Sequence, residues 1–190
     1  MKIIVGLGNP GKKYELTRHN VGWKALEYII SNFKPARTVG HGGFQISKSE
    51  NKFNSEIAED TTGDVKIIFV KPQTFMNLSG SAVSEIINYY KINTQNDLLV
   101  IHDEIDLPLG SIKFTKSSSA AGHNGVKNII ENLGTQNFCR IRIGIESRSS
   151  REQIPTDAFV LQNFSEEDLK KLSNDVFPKT QTEIEKFLSL

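Results

Sequence analysis

The stretch from residue 2 to residue 22 constrains the fold more than any other part of the sequence. It reads KIIVGLGNPGKKYELTRHNVG. Its apolar run IIV is short, β-branched and followed by glycine, so it predicts a buried strand. A strand that runs into a glycine turn is typical of α/β sheets, which place their chemistry at strand ends. The turn carries Gly6, Gly8 and Gly11.

The turn also matches the dinucleotide-binding pattern G-x-G-x-x-G, so nucleotide binding is an alternative function for it. The pattern requires a helix that opens directly after the turn and holds a pyrophosphate on its free N–H groups. Pro10 has no N–H and biases Asn9 away from helical dihedrals, and the next helix is predicted only near Asn20. The region around Glu27 predicts a helix where an acidic strand end is needed. Nucleotide binding is therefore the weaker interpretation.

Length and composition favour an ordinary globular protein. The chain has 190 residues, of which 37% are hydrophobic and 24% charged, which predicts a single domain over residues 1–190 with its own core. Cys139 is the only cysteine, so no disulfide framework is possible, and this suits a reducing cytoplasm. We expect no signal peptide and no membrane-spanning segment, because no apolar run is long enough.

The charge distribution is more informative than the net charge of +1. The segment from Gly110 to Arg151 contains seven basic residues and only two acidic ones. A basic segment in a nearly neutral protein can provide a phosphate-binding face. Scattered solubilising charges explain the same pattern, so both interpretations stay open here.

Hydrophobic periodicity predicts an α/β fold, a twisted mixed sheet surrounded by helices. Helices are expected over 21–33, after Ser79, over 123–133, and beyond Ser165, where Pro178 is expected to break the tail. The Ser165 side chain is a good N-cap with Asp168 three residues later. Strands are expected over 3–5, 44–49, 55–59, 65–70, 98–102, 111–116 and 140–145, the last with Arg140 and Arg142 on one face.

Polar side chains stand where these elements end, which is where sheet proteins carry function. Taken alone, each of them is better explained as a cap or a turn former, because Asn and Asp favour such positions whatever the function. They are Asn9, Asn77, Asp103 and Asn124.

Histidine chemistry is the most plausible catalytic chemistry for these residues. The sequence has no G-x-S-x-G or H-E-x-x-H motif, and Cys139 in a strand is expected to be inert. His19 could activate water if Asp103 fixed its ring, and asparagine amides could donate to an oxyanion. His102 should face away from Asp103 and is expected to be structural, whereas His123 could line the site.

A metal site is the less favoured alternative. It would use the acidic residues after the expected strand over 98–102 together with a histidine, but their spacing matches no known ligand motif. The residues concerned are Asp103, Glu104 and Asp106.

Five blocks of the sequence resemble the bacterial-type peptidyl-tRNA hydrolase family. They are GLGNPGKKYELTRHNVG, KPQTFMNLSG, HDEIDLPLG, GHNG and NFCRIRIGI, all within residues 2–145, whereas the tail after Ser165 is similar only in being helical. The resemblance implies a cytoplasmic esterase without metal or other cofactor, and without a membrane partner. It would cleave the ester between a peptide and the 3′-terminal ribose of tRNA and recycle tRNA from aborted translation. The implied fold is one α/β globule, usually monomeric.

The resemblance also implies roles for individual residues. His19 corresponds to the general base and Asp103 to its orienting partner. Asn9 and Asn77 correspond to the groups that hold the peptide next to the ester, with Asn77 also an oxyanion donor. Asn124 corresponds to a residue that positions the water or the substrate end. Site-lining positions correspond to Tyr14 and Phe75, and tRNA phosphate contacts to Lys113 and Arg142, with Lys116 nearby.

One loop departs from the family pattern. The segment before GHNG is usually rich in glycine, but here it reads SSSAA, with Ala121 where glycine is common. If the loop gates the site, Ala121 should restrict its motion. A non-enzymatic alternative also stays open, because a plant organelle branch of the family serves RNA splicing.

Overall fold

A computed structural model describes residues 1–32, 52–62 and 64–190 of the chain. Within these residues six strands form one sheet in the order β2-β3-β1-β4-β6-β5. The predicted strand over 44–49 and the predicted helix end at Phe33 lie outside the described residues. The strands are β1 (Lys2–Gly6), β2 (Ser55–Thr62), β3 (Val65–Pro72), β4 (Leu98–Pro108), β5 (Ile112–Lys116) and β6 (Cys139–Glu146).

Helices connect the strands and cover both faces of the sheet. No helix in the described part of the chain is long and apolar enough to cross a membrane. Short 3₁₀ helices occupy Lys12–Tyr14, Arg18–Asn20 and Met76–Leu78. The α-helices are α1 (Val21–Asn32), α2 (Ser79–Tyr90), α3 (Thr94–Asp97), α4 (Asn124–Leu133), α5 (Thr156–Val160), α6 (Glu166–Lys171) and α7 (Phe177–Leu188).

The sheet is mixed, which confirms the predicted fold class. Strands β3, β1, β4 and β6 run parallel in its centre. The two edge strands, β2 and β5, pair antiparallel with their neighbours. The carboxyl ends of the four central strands therefore meet at one edge, where open α/β sheets bind ligands.

Alternating side chains divide the core into two layers. Ile4 of β1 packs on one face of the sheet with Leu26 of α1 and Ile184 of α7. Ile3 packs on the other face, in a cluster that includes Val83 of α2. Because both faces are covered, the central strands are continuous apolar runs rather than alternating ones.

Strand β4 extends further than the sequence predicted. We expected a strand over 98–102, but pairing with β6 continues to Glu104 and resumes at Pro108 after an irregularity. The prediction was wrong because Asp103 and Glu104 were taken as strand-end residues on polarity alone. Both side chains are almost completely buried, at 3% exposure each.

The C-terminal tail also differs from the prediction at one point. Pro178 does not end the helical tail: it lies in the first turn of α7, directly after a π-helical turn. A π-helical turn over Leu172–Val176 joins α6 to α7. The predicted N-cap at Ser165 is confirmed, with Asp168 completing a capping box.

Two glycines allow β1 and α1 to lie against each other. A Cβ at Gly6 would lie 2.5 Å from the carbonyl oxygen of Gly22. A Cβ at Gly22 would lie 2.4 Å from the carbonyl oxygen of Ile101 in β4. Helix α1 therefore starts directly over the sheet, and the turn before it lies at the ends of β1 and β4.

Substitution of Gly22 by Ala should destabilise the protein. The added methyl meets backbone, which cannot rotate away, so we expect a loss of about 1–3 kcal/mol in the free energy of unfolding. Urea denaturation of Gly22→Ala against the wild type measures it. Ser31→Ala, at an exposed position of the same helix, is the control and should stay within about 0.5 kcal/mol. An unchanged midpoint for Gly22→Ala would contradict the close packing.

Candidate active site

The structure brings His19 and Asp103 together at the carboxyl edge of the sheet. β1 ends its pairing at Gly6 opposite Ile101, so β4 runs past it and carries Asp103 beyond the end of the neighbouring strand. His19 lies in the 3₁₀ helix Arg18–Asn20, just before α1. Its Nδ1 donates a hydrogen bond of 2.8 Å to Oδ1 of Asp103.

A second histidine donates to the same carboxylate oxygen. Nε2 of His123 lies 2.8 Å from Oδ1 of Asp103. Nδ1 of His123 accepts a hydrogen bond from the backbone N–H of Val126, as the N-cap of α4. Since Nδ1 accepts, the proton of a neutral His123 ring must be on Nε2. Asp103 therefore receives two N–H donors, one from each ring.

The surroundings shift the pKa values of the pair in opposite directions. Burial by itself lowers the pKa of His19, but the charge and the hydrogen bond of Asp103 outweigh it and raise that pKa above its ordinary value. Burial raises the pKa of Asp103, but His19 and His123 reverse this and hold it well below its usual range. Asp103 is therefore ionised at neutral pH and available to stabilise an imidazolium.

A cavity of about 370 Å³ opens next to the two histidines. Its walls come from the 3₁₀ helix of His19, from β4, from the loop before α4, and from α5. Asn124 lines it with an exposed side chain. The sequence did not identify the contribution of α5, which consists of Thr156, Asp157 and Val160.

Asn9 is held rigidly, with its amide nitrogen left available. Its Oδ1 accepts from the backbone N–H of Met76 at 2.8 Å. Asn20 binds the backbone of Asn9 in both directions: Oδ1 of Asn20 accepts from the N–H, and Nδ2 donates to the carbonyl, each at 2.9 Å. The amide orientation of Asn9 follows from the Met76 donor, so Nδ2 of Asn9 can only donate.

Two of the expected substrate-side residues, Phe75 and Asn77, flank Met76, whose N–H binds Asn9. Asn77 follows Met76 in a 3₁₀ helix and has an exposed side chain. Tyr14 and Phe75 form an edge-to-face pair with ring centroids 6.3 Å apart, and Phe75 is 52% exposed. The side chains of Asn77, Tyr14 and Phe75 do not line the 370 Å³ cavity.

The three expected phosphate contacts are not equivalent. Lys113 and Arg142 are direct cross-strand partners on β5 and β6, so their side chains share one face. Lys116 pairs with Cys139 and, three positions along, points to the opposite face. Arg142 is half-buried and bound to Glu104, with Nε of Arg142 2.7 Å from Oε2. Lys113 is exposed and forms no ion pair within the described residues.

Arg140 is not part of a charged surface. It is 1% exposed and donates to the carbonyl oxygens of Ser118 and Ser119 in the loop before α4. Burial and the nearby Arg142 lower its pKa to about 10. Arg140 therefore anchors the start of the loop, whose far end carries Ala121 at φ 47°, in the left-handed region.

A metal ion fits the three central residues poorly. Donor atoms of His19, Asp103 and His123 lie within 4.8 Å of one another. His123 would have to move its proton to Nδ1 to bind an ion through Nε2, and Nδ1 would then oppose the N–H of Val126. In the other metal alternative, arginines already bind the additional carboxylates: Arg142 binds Glu104 and Arg151 binds Asp106.

His102 behaves as a structural residue. It is 1% exposed, and its Nδ1 donates 2.7 Å to the carbonyl oxygen of Asp103. Burial and the adjacent His123 hold the pKa of His102 well below its usual range, so the ring is neutral.

The contacts of Asn20 with Asn9 and of His123 with Asp103 were not predicted from the sequence. Asn20 looks like an ordinary residue before a helix, and His123 like an ordinary N-cap. The only local signal was their position next to His19 and Asn124.

Comparison with known proteins identifies the family of the chain. The family model described as peptidyl-tRNA hydrolase matches residues 3–190. A peptidyl-tRNA hydrolase of Mycoplasma mycoides is 44% identical over 95% of this chain and 90% of its own length. One from Staphylococcus aureus is 40% identical over 99% and 91%.

Solved structures point the same way. The crystal structure of peptidyl-tRNA hydrolase from Acinetobacter baumannii superimposes with a TM-score of 0.83 at 27% identity, covering 100% of this chain and 89% of that one. The chain belongs to the peptidyl-tRNA hydrolase family.

Proposed function

We propose that the protein hydrolyses the ester between the peptide and the 3′-terminal ribose of peptidyl-tRNA, with His19 as general base. It releases free peptide and free tRNA and so recycles tRNA from aborted translation. Family membership supports the substrate, and the buried histidine pair on Asp103 supports the chemistry. A monomeric, cytoplasmic enzyme that works without a cofactor belongs to the same proposal.

The observation that carries the mechanism is the hydrogen bond from Nδ1 of His19 to Asp103. A carboxylate accepts only, so the proton of neutral His19 is on Nδ1 and the lone pair is on Nε2. Nε2 forms no hydrogen bond within the described residues, and the ring lines the cavity. His19 is thus in the tautomer that a general base requires.

The reaction then follows from these positions. Nε2 of His19 takes a proton from water as the water oxygen bonds to the ester carbonyl carbon. The negative charge of Asp103 stabilises the imidazolium that forms. When the tetrahedral intermediate collapses, the bond to the ribose 3′ oxygen breaks and the imidazolium returns its proton to that oxygen. His123 fixes the carboxylate throughout by its second hydrogen bond.

Asparagines suit the peptide side of the substrate. Nδ2 of Asn9 is oriented by the Met76 contact and can donate to a peptide carbonyl without carrying charge. Asn77, which follows Met76 in the chain, is its expected partner and the expected oxyanion donor by resemblance to the family. Asn124 lines the cavity and is assigned to the water or to the substrate end.

The tRNA side is assigned to the exposed face of β5. Lys113 is the residue best placed to bind a tRNA phosphate, since it is exposed and has no intramolecular ion pair among the described residues. Arg142 beside it must leave or share Glu104 in order to bind phosphate. Lys116 points to the other face of β5 and is the weakest of the three assignments. Such contacts position tRNA without reading its sequence.

Loss of the base should abolish hydrolysis. We expect His19→Ala to release peptide from N-acetyl-aminoacyl-tRNA on the order of 10²–10⁴-fold more slowly than the wild type, with EDTA present throughout. Circular dichroism tests whether the variant is folded, and filter binding tests whether it still binds tRNA. Binding of tRNA by a wild type that releases no peptide would support the RNA-binding alternative instead.

The pH profile reports the Asp103 interaction. Protonated His19 cannot accept a proton, so kcat/KM should fall on the acid side with a midpoint above about 6.5, because Asp103 raises the pKa of His19. In Asp103→Asn the negative charge is lost while burial, which lowers that pKa, remains, so the midpoint should move to lower pH while the maximal rate falls roughly 10³-fold. A profile with the same midpoint in both proteins would refute the pairing.

Ala121→Gly should change turnover more than stability. Release of left-handed strain, about 1 kcal/mol, and the greater freedom of Gly in the unfolded chain, about 0.5–1 kcal/mol, nearly cancel. A looser loop beside the cavity should alter kcat. Steady-state kinetics and thermal unfolding test both statements, with Ala120→Gly in the same loop as the control. Unchanged kinetics in Ala121→Gly would rule out gating by this loop.

A further inference from the structure

Arg18, the residue before His19, is buried between two aromatic rings. It is 7% exposed, and its guanidinium carbon lies 4.5 Å from the ring centroid of Phe159 and 4.9 Å from that of Phe164. Nη2 of Arg18 lies 3.2 Å from Oδ2 of Asp168. Arginine favours such stacked positions because its planar cation is weakly hydrated.

The backbone around Arg18 is bound to the same C-terminal segment. The N–H of Arg18 donates to the carbonyl of Gln162 at 3.0 Å, and the N–H of Phe164 donates to the carbonyl of Leu16 at 2.9 Å. Thr17 forms an isolated antiparallel bridge with Asn163. The 3₁₀ helix that carries His19 is therefore bound to Asp103 on one side and to residues 162–168 on the other.

Asp168 joins this loop to the tail helix. Its Oδ2 accepts from the backbone N–H of Ser165 in the capping box of α6 as well as from Arg18. Nε and Nη1 of Arg18 have no hydrogen-bond partner within the described residues, so Asp168 is the sole anion that fixes the guanidinium there. A half-satisfied buried cation is sensitive to the loss of its one counterion.

We propose that Arg18 and Asp168 are positioning residues for the general base: the pair holds the 3₁₀ helix Arg18–Asn20 so that His19 meets Asp103 and faces the cavity. The C-terminal tail contains none of the five sequence blocks that resemble the family, but through Asp168 it helps to position the general base. The inference rests on the proposed function of His19. Phe159 strengthens it, because its helix α5 both stacks on Arg18 and lines the cavity.

The groups that face His19 determine what a shift of the loop does. Asp103 approaches from β4, His123 from the start of α4, and Asp157 lines the same cavity from α5. A rotation of the 3₁₀ helix would lengthen the His19–Asp103 hydrogen bond, because the pairing of β4 with β6 holds Asp103 in place. Burial of the imidazole persists, so protonation of His19 becomes less favourable.

The test compares Asp168→Asn with Ser165→Ala. The Asn variant keeps an oxygen that can cap α6 but loses the charge opposite Arg18. The Ala variant weakens the same cap and leaves the ion pair intact. We expect Asp168→Asn to lower kcat about tenfold with KM unchanged, and to move the acid limb of kcat/KM to lower pH. Ser165→Ala should lower only the melting temperature.

Phe164→Leu provides a second variant in case Asp168→Asn does not fold. It removes one face of the stack while it keeps apolar contact, and it should reproduce the kcat and pH effects in weaker form. If both variants melt earlier but keep the wild-type kcat and acid limb, the pair is merely structural and the inference is wrong. An inactive wild type would instead overturn the proposed function, so the two failures can be told apart.

Discussion

The buried carboxylate of Asp103 is the group on which the rest of the site depends. It is 3% exposed, and one of its oxygens accepts from two imidazoles. A buried carboxylate without such donors would be protonated and could not orient a base. His19 owes its tautomer to this oxygen, whereas the N–H of Val126 fixes that of His123. Removal of Asp103 therefore affects the orientation, the protonation and the proton affinity of His19 at the same time.

The backbone meets this requirement by letting β4 run past the end of β1. The extra residues of β4 stay in the sheet because β6 continues to pair with them, so Asp103 is held at the sheet edge by backbone rather than by a loop. The approach of α1, permitted by Gly22, then brings the preceding 3₁₀ helix and His19 over that edge. Asp103 lies on a paired strand and His19 on a short helix packed over the sheet edge, so both side chains are held in position before a substrate binds.

Features with a local signal in the sequence were predicted correctly. The alternation in β6, the cap at Ser165 and the end of α4 at Gly134 each depend on a few neighbouring residues. The residues at strand ends identified the site, and the resemblance supplied their proposed roles. What could not be predicted depends on distant contacts: Asn20 clamping Asn9, His123 sharing Asp103, and the burial of Arg140. No local pattern distinguishes these residues from caps and surface charges.

The glycine turn shows why a matching pattern can mislead. Its three glycines are required for three different physical reasons, none of which involves a nucleotide. Gly6 leaves room for the backbone of α1, and Gly8 leaves room for the ring of Trp23, 2.7 Å from where a Cβ would lie. Gly11 adopts φ 104°, which few other residues tolerate. The spacing of dinucleotide-binding glycines thus arises here from close packing at Gly6 and Gly8 and from the turn conformation at Gly11. The turn carries the polar side chain of Asn9 and does not lead directly into the N-terminus of an α-helix.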